Sequence, residues 1–171
     1  MRHALVTGMS ATGKSTVVAD LVARGVAAVD LDDPRWSHVV PDDSAFADGP
    51  DATDWRWRDE AVGALLDDAP EPLVVAGTST NQSAFYDRFA HVVLLTVPDE
   101  VALHRLATRT TNAYGKDPAE VAREVTLRAE VQPLLRRGAC LEVDTAARDR
   151  DGVVELLLAH LAGPACRTAP A

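Results

Sequence analysis

The chain of 171 residues begins with a short apolar run, "HALVTG" (residues 3–8), that hands over directly to "GMSATGKST" (residues 8–16). An unbroken apolar run of this length reads as a buried strand. The segment behind it, "KSTVVADLVARG", reads as a helix with Val17, Val18, Leu21 and Val22 on one face and Gly25 at its end. A G-x-x-x-x-G-K-[ST] loop between a strand and a helix is a phosphate cradle, because its amides and the helix start converge on an anion. Lys14 supplies a point charge for the β- and γ-phosphates, and Ser15 offers a hydroxyl to Mg²⁺. Gly8 and Gly13 allow backbone geometry and close approach that a side chain would obstruct. Gly8, Ser10, Ala11, Thr12, Gly13, Lys14, Ser15 and Thr16 are therefore the expected nucleotide-binding residues.

This opening unit fixes the class of fold. Further apolar strands follow in "VAAVDLDDP", "PLVVAG", "HVVLLTVP" and "CLEVDT". Between them lie helical segments: "WRWRDEAVGALLDDAP" with Val62, Leu65 and Leu66 inward, a short one within "STNQSAFYDRF", then "DEVALHRLATR". A long helix, "PAEVAREVTLRAEVQPLLRRG", is expected to kink or break near Pro133, and "DGVVELLLAHL" closes the chain. Apolar strands without alternation, each separated by a helix, indicate a parallel sheet covered on both faces. The expectation is an α/β, three-layer fold with a five-stranded parallel sheet flanked by helices. It forms one domain over residues 1–163, with an acceptor-binding excursion near 33–62 and a lid near 109–118. The tail, residues 164–171, is expected to be disordered. Residues 34–54 suggest no regular element beyond a helical turn.

Charge and cysteine usage narrow the function. The net charge of −9 argues against a nucleic-acid binder. No apolar run approaches a membrane span, so the protein reads as cytoplasmic with no membrane partner. Cys140 and Cys166 show no metal-ligand spacing, nor do the five histidines, and a reducing compartment would keep both cysteines as thiols. Residues 30–60 carry ten acids against three arginines, whereas residues 104–137 carry seven bases against four acids.

Ligands in parallel sheets bind at the carboxyl ends of the strands. The loop after the second strand holds Asp30, Asp32 and Asp33. One such carboxylate can hold Mg²⁺ and another can orient an acceptor hydroxyl, whereas a polar turn is the simpler explanation for Asp33 before Pro34. In the loop after the third strand, Gly77 would allow a substrate close to the sheet edge. Asn81 and Gln82 either bind a polar acceptor or follow a helix cap at Ser79 or Thr80. Arg105 and Arg109 share a helix face and could close over a nucleotide, with Lys116 behind them, or could simply complement a helix end. Trp36, Trp55 and Trp57 either stack on an acceptor or fill a small core.

Taken together, "GMSATGKST", "VDLDD" and the "WR" pair resemble the P-loop small-molecule kinases, a group including shikimate, gluconate and nucleoside monophosphate kinases. The resemblance covers nearly the whole chain as an order of elements. In detail it is nearest to shikimate kinase, through Asp30 and Asp32, through Trp57 and Arg58, and through "PLLRRGACLEVDT". It implies that Asp30 helps hold magnesium, that Asp32 contacts the acceptor, and that Trp57 and Arg58 belong to the acceptor helix. Two features depart from that pattern. The glycine triplet is reduced to Gly77 in "AGTST", and Val131 occupies the region of an arginine that would grip a substrate carboxylate. These departures argue against shikimate as the acceptor.

The resulting expectation is an enzyme that moves the γ-phosphoryl group of ATP, with Mg²⁺, to a hydroxyl of a small-molecule acceptor. Lys14, Asp32 and Arg109 would be catalytic, and Ser15 and Asp30 would hold the metal. Asp32, Asp33, Trp57, Arg58, Gly77, Asn81 and Gln82 would meet the acceptor, and Arg105 and Arg109 the nucleotide. The alternatives are a nucleoside monophosphate kinase, which needs an arginine clamp, and a nucleotide switch or acceptor-independent ATPase.

Overall fold

The computed structural model describes residues 3–42, 52–110 and 114–166. In chain order the elements are β1 (His3–Thr7), α1 (Lys14–Ala23), β2 (Ala28–Asp30), β3 (Ser37–Pro41), β4 (Thr53–Trp57), α2 (Asp59–Asp68) and β5 (Val74–Ala76). A 3-10 helix (Gln82–Arg88) follows, then β6 (Phe89–Thr96), α3 (Asp99–Thr108), α4 (Pro118–Gly138), β7 (Leu141–Asp144) and α5 (Arg150–Leu161). Five strands form one parallel sheet in the order β2-β5-β1-β6-β7, as expected.

The side-chain alternation of the strands builds two cores. On one face Ala4, Val6, Val74, Ala76, Val93 and Leu95 pack against Val17 and Leu21 of α1 and Val154 and Leu157 of α5. On the other, Leu5, Val75 and Val92 pack against Val62 and Leu66 of α2 and Phe85 of the 3-10 helix. Burying a large apolar side chain contributes about 1.5–3 kcal/mol, which favours the mid-sheet position of β1 with Leu5 and Val6 buried. The buried His3 and Thr7 are satisfied by hydrogen bonds to Leu66 O and Gln82. Val22 is 54% exposed rather than inward, because the stripe of α1 is set by Val17, Val18 and Leu21.

The stretch from Thr53 to Trp57 is a strand, not the start of a helix. It pairs antiparallel with β3, Val39 opposite Trp55 and Ser37 opposite Trp57. Its T-D-W-R-W pattern alternates with period two, and the helix begins only at Asp59, after Arg58. Helix α4 runs unbroken through Pro133. That residue is exposed, so the carbonyl left without a helical partner faces water.

The cysteines are also not free thiols: Cys140 and Cys166 are joined in a disulfide, with Cα atoms 6.1 Å apart. After α5 the chain turns back along the sheet. The Cys166 amide donates to Ala90 O at 2.9 Å, and the Cys140 amide to Val92 O at the same distance. Part of the expected disordered tail is thereby fixed on β6, and residues 167–171 lie outside the described residues. Among the described residues, no helix is long and apolar enough to cross a membrane.

Candidate active site

Beyond β1 the backbone enters the left-handed region at Ala11 (φ 62°) and Gly13 (φ 99°) and passes through Gly8 (φ 151°). At Gly8 a Cβ would lie 2.4 Å from Leu95 O, so only glycine fits the approach of the loop to β6. The loop's carbonyls are held partly by its own side chains and partly from outside. Lys14 Nζ donates to Gly8 O (2.7 Å) and Met9 O (3.4 Å), and the Thr12 hydroxyl to Met9 O (2.9 Å). Arg105 reaches Ala11 O (3.2 Å), Arg128 reaches Ser10 O (3.5 Å) and the Thr145 hydroxyl reaches Thr12 O (2.9 Å). With these carbonyls engaged, the turn's amides and the start of α1 are the groups the loop offers to an anion.

The loop forms the floor of a cleft of about 1590 Å³. A drug-sized ligand site occupies roughly 300–1,000 Å³, so this volume suits a nucleotide and a second small molecule together. Asp32 lines it beside Lys14, Ser15 and Thr16. Asp32 keeps contact with water, yet the surrounding protein strips enough solvent to push its carboxyl above the usual range. The Lys14 charge opposes that rise, the Asp30 charge adds to it, and the Thr78 amide opposes it. Asp30 stands behind, outside the cleft wall, accepting the Asp32 amide on Oδ1 at 3.0 Å. Asp33 turns away and binds the exposed Arg35 at 2.9 Å, which lowers its pKa.

Several residues expected at the acceptor are placed in the core or behind the cleft. Trp57 is fully buried, edge-on to Phe85 with centroids 5.8 Å apart. Gly77 is small to admit Trp57: a Cβ there would lie 3.2 Å from the indole Nε1 and 3.1 Å from Leu31 Cβ. Asn81 ties the end of β4 to the third loop, donating to Trp57 O (3.0 Å) and Asp59 (2.8 Å). Arg58 is exposed and reaches Pro34 O at 3.4 Å. Gln82 does line the cleft, fixed by the Thr7 hydroxyl (3.1 Å) and by its own bond to Tyr86 (2.7 Å). Of the tryptophans, Trp55 is the one on the cleft wall.

Arg105 and Arg109 both line the cleft but differ in freedom. Arg105 is committed to Ala11 O and to Thr145, whose carbonyl it meets at 3.1 Å. Arg109 donates to Tyr114 O at 3.0 Å, while its buried Nε has no hydrogen-bonding partner among the described residues. Lys116 caps α3 through Leu106 O (2.9 Å) and Ala107 O (2.6 Å). Residues 111–113 of the lid segment lie outside the described residues.

Sequence reasoning did not single out Asp42, Arg123, Glu124 or Arg128. Asp42 at the end of the hairpin meets Arg123 of α4 at 3.1 Å across the cleft. Glu124 and Arg128 are buried one helical turn apart on α4, and Arg128 also binds Val97 O and Asp99, each at 2.7 Å. Burial raises the Glu124 pKa, and nearby Ser10, Arg128 and Lys14 oppose the rise. Tyr114 donates to Glu124 at 3.4 Å, and burial beside that carboxylate pushes its phenol up to about 12. The one available signal was their i, i+4 spacing, and that reads equally well as a solvated pair.

The family described as the AAA domain matches residues 5–128, well over half of the chain, and the protein belongs to that family. It groups there with the ATP-dependent P-loop small-molecule kinases. Shikimate kinase of Mycobacterium avium (strain 104) is 28% identical over 173 residues, covering 97% of each chain. Among solved structures, shikimate kinase from Acinetobacter baumannii in complex with shikimate aligns with a TM-score of 0.59 at 17% identity, covering 94% of each chain. A gluconokinase from Sinorhizobium meliloti 1021 aligns with a TM-score of 0.56 at 20% identity, covering 94% of this chain and 91% of the other.

Proposed function

We propose that the protein transfers the γ-phosphoryl group of ATP to a hydroxyl of a small, non-phosphorylated acceptor. The observation that carries this reading is the placement of Asp32 in the cleft wall beside Lys14, with its carboxylate pKa raised. A carboxylate there accepts or orients the proton of an acceptor hydroxyl, and a raised pKa makes it a better acceptor. The loop and Lys14 hold the donor's phosphates and screen their charge from Asp32. Arg109, with an unpartnered buried Nε, supplies charge toward the transferred group.

Magnesium fits the part of the expected donor set that lines the cleft: the Ser15 hydroxyl is a hard oxygen ligand beside the phosphate loop, whereas Asp30, behind Asp32 and outside the cleft wall, would reach the ion only through water. When bound, it would neutralise phosphate charge during transfer. The acceptor side of the cleft carries Asp42, Asp54, Trp55 and Gln82, with Arg123 engaged by Asp42. This wall suits a polyhydroxylated molecule better than a monophosphate, which requires a free arginine clamp.

The test is ADP release from ATP and Mg²⁺ across a panel of acceptors: shikimate, gluconate, other polyols and sugar acids, aminoglycoside-type cations and nucleoside monophosphates. A phosphate-free hydroxyl compound is expected to stimulate turnover, and Asp32→Asn to lower kcat at least about 100-fold with ATP binding retained. Turnover that needs no acceptor and survives Asp32→Asn would overturn the reading, as would stimulation by monophosphates alone.

A further inference from the structure

Four side chains that the kinase site does not use meet at the other edge of the sheet. The phosphate loop follows the carboxyl end of β1. His91 lies near the start of β6, Cys140 just before β7, His160 in the last turn of α5 and Cys166 beyond it. One ligand atom from each lies within 4.8 Å of all the others. Cys140 Sγ is 3.6 Å from His160 Nε2, and Cys166 Sγ is 4.0 Å from His91 Nδ1. The two imidazoles stand edge to face, with centroids 5.0 Å apart. His91 is buried and the other three are half-buried.

A tetrahedral zinc ion, with Zn–S about 2.3 Å and Zn–N about 2.0–2.1 Å, holds sulfur and nitrogen ligands roughly 3.5 Å apart. Both cysteine–histidine separations lie close to that spacing. The set has two sulfurs, two nitrogens and no carboxylate, which selects a borderline-soft transition metal over Mg²⁺ or Ca²⁺. Two thiolates and two neutral imidazoles cancel a divalent charge, which suits a half-buried position. Four protein ligands leave no open coordination position, so the role is structural rather than catalytic.

We propose that the reduced chain binds one zinc-type divalent cation through His91, Cys140, His160 and Cys166, and that this metal site and the Cys140–Cys166 disulfide are alternative clasps of the same joint. Either one fastens the end of α5 and the segment after it to β6 and β7. The two states differ by two electrons. A phosphine reduces the disulfide and leaves as its oxide, taking the oxygen of one water, while that water's two protons go to the two sulfurs. A dithiol serves equally and leaves as its own disulfide. The metal then displaces both protons as it binds the thiolates.

The test uses the full chain, reduced with a phosphine under anaerobic conditions and titrated with Co²⁺ and then Zn²⁺. One equivalent of Co²⁺ is expected to give the intense ligand-field bands of a tetrahedral centre and a thiolate charge-transfer band, both erased by Zn²⁺. The loaded protein should resist alkylation at both cysteines, and the oxidised chain should bind neither ion. Cys166→Ser and His160→Ala should lose stoichiometric binding, whereas His160→Cys should retain it, which a packing role for His160 would not predict. Circular dichroism and ATP-analogue binding check that each variant folds. X-ray absorption on the zinc-loaded wild type, independent of any variant, should read two sulfur and two nitrogen neighbours. No binding by the reduced wild type, an oxygen-rich coordination shell, or undiminished binding by a folded Cys166→Ser variant would each overturn the proposal.

Discussion

Replacing Arg128 with Met tests whether a buried ion pair on α4 shapes the phosphate loop. The Arg128 side chain is 2% exposed and serves Val97 O, Ser10 O, Asp99 and Glu124 together. Methionine fills similar volume but donates nothing. It strips the buried Glu124 carboxylate of its partner on α4, leaving Lys14 and Ser10 to oppose its desolvation, and leaves two carbonyls without their donor. Removing one partner of such a pair costs about 3–5 kcal/mol. The Asp99 contact adds little, because that carboxylate is 72% exposed. In a chain of this size each kcal/mol shifts Tm by about 2–4 °C, so a fall of roughly 10 °C is expected by calorimetry.

The pH dependence follows from Glu124, whose folded pKa is raised above its unfolded value. Such an acid favours the folded state most below its unfolded pKa, and that contribution is lost as pH rises through the folded pKa. Removing Arg128 takes away one influence that holds the folded pKa down. The deficit of Arg128→Met should therefore be smallest in acid and grow as pH climbs through that range. Adding Glu124→Gln to Arg128→Met should recover much of the loss, since it removes the stranded charge. A single variant within about 1 kcal/mol of wild type, or a deficit that shrinks with rising pH, would refute the reasoning.

Four other outcomes are expected. Lys14→Met should destabilise the nucleotide-free protein by about 1–3 kcal/mol in urea denaturation, because Gly8 O loses its buried donor, and should lower turnover at least about 100-fold, read by ADP release. Gly77→Ala should destabilise by about 1–3 kcal/mol in urea denaturation, with the acceptor KM unaltered, because the new methyl meets Leu31 and Trp57. Thr145→Val should weaken ATP binding by about 1 kcal/mol in calorimetric titration, since it releases Thr12 O and one Arg105 contact. The acid limb of the kcat–pH profile should fall at a pH above the ordinary carboxylate range and vanish in Asp32→Asn, because protonated Asp32 cannot accept the acceptor's proton.

The parallel sheet was legible because its signals are local. The central strands β1, β5 and β6 carry apolar runs, and the loop at Gly8–Thr16 announces its own geometry. Asp32 was legible through its place after a strand. What escaped depends on contacts between distant residues. Trp57 looked like an acceptor-helix residue because a single turn of sequence cannot distinguish period two from period 3.6, and its role became plain only against Gly77 and Phe85. The Asp42–Arg123 bridge joins a hairpin end to a helix far along the chain. The Cys/His cluster has no spacing signature, because β6, β7 and α5 bring its members together through the topology of the sheet.

The phosphate loop is held in shape by donors that lie far along the chain: Arg105 on α3, Arg128 on α4 and Thr145 after β7. Its nine residues are thus short in sequence but broad as a mutational target. Nucleotide affinity becomes a property of the assembled domain, so natural variants in α3, in α4 or beyond β7 should present as donor-binding defects although none of those positions belongs to the motif. A peptide carrying the motif alone would lack these braces, and grafting it onto another strand–helix unit would transfer the letters without the conformation.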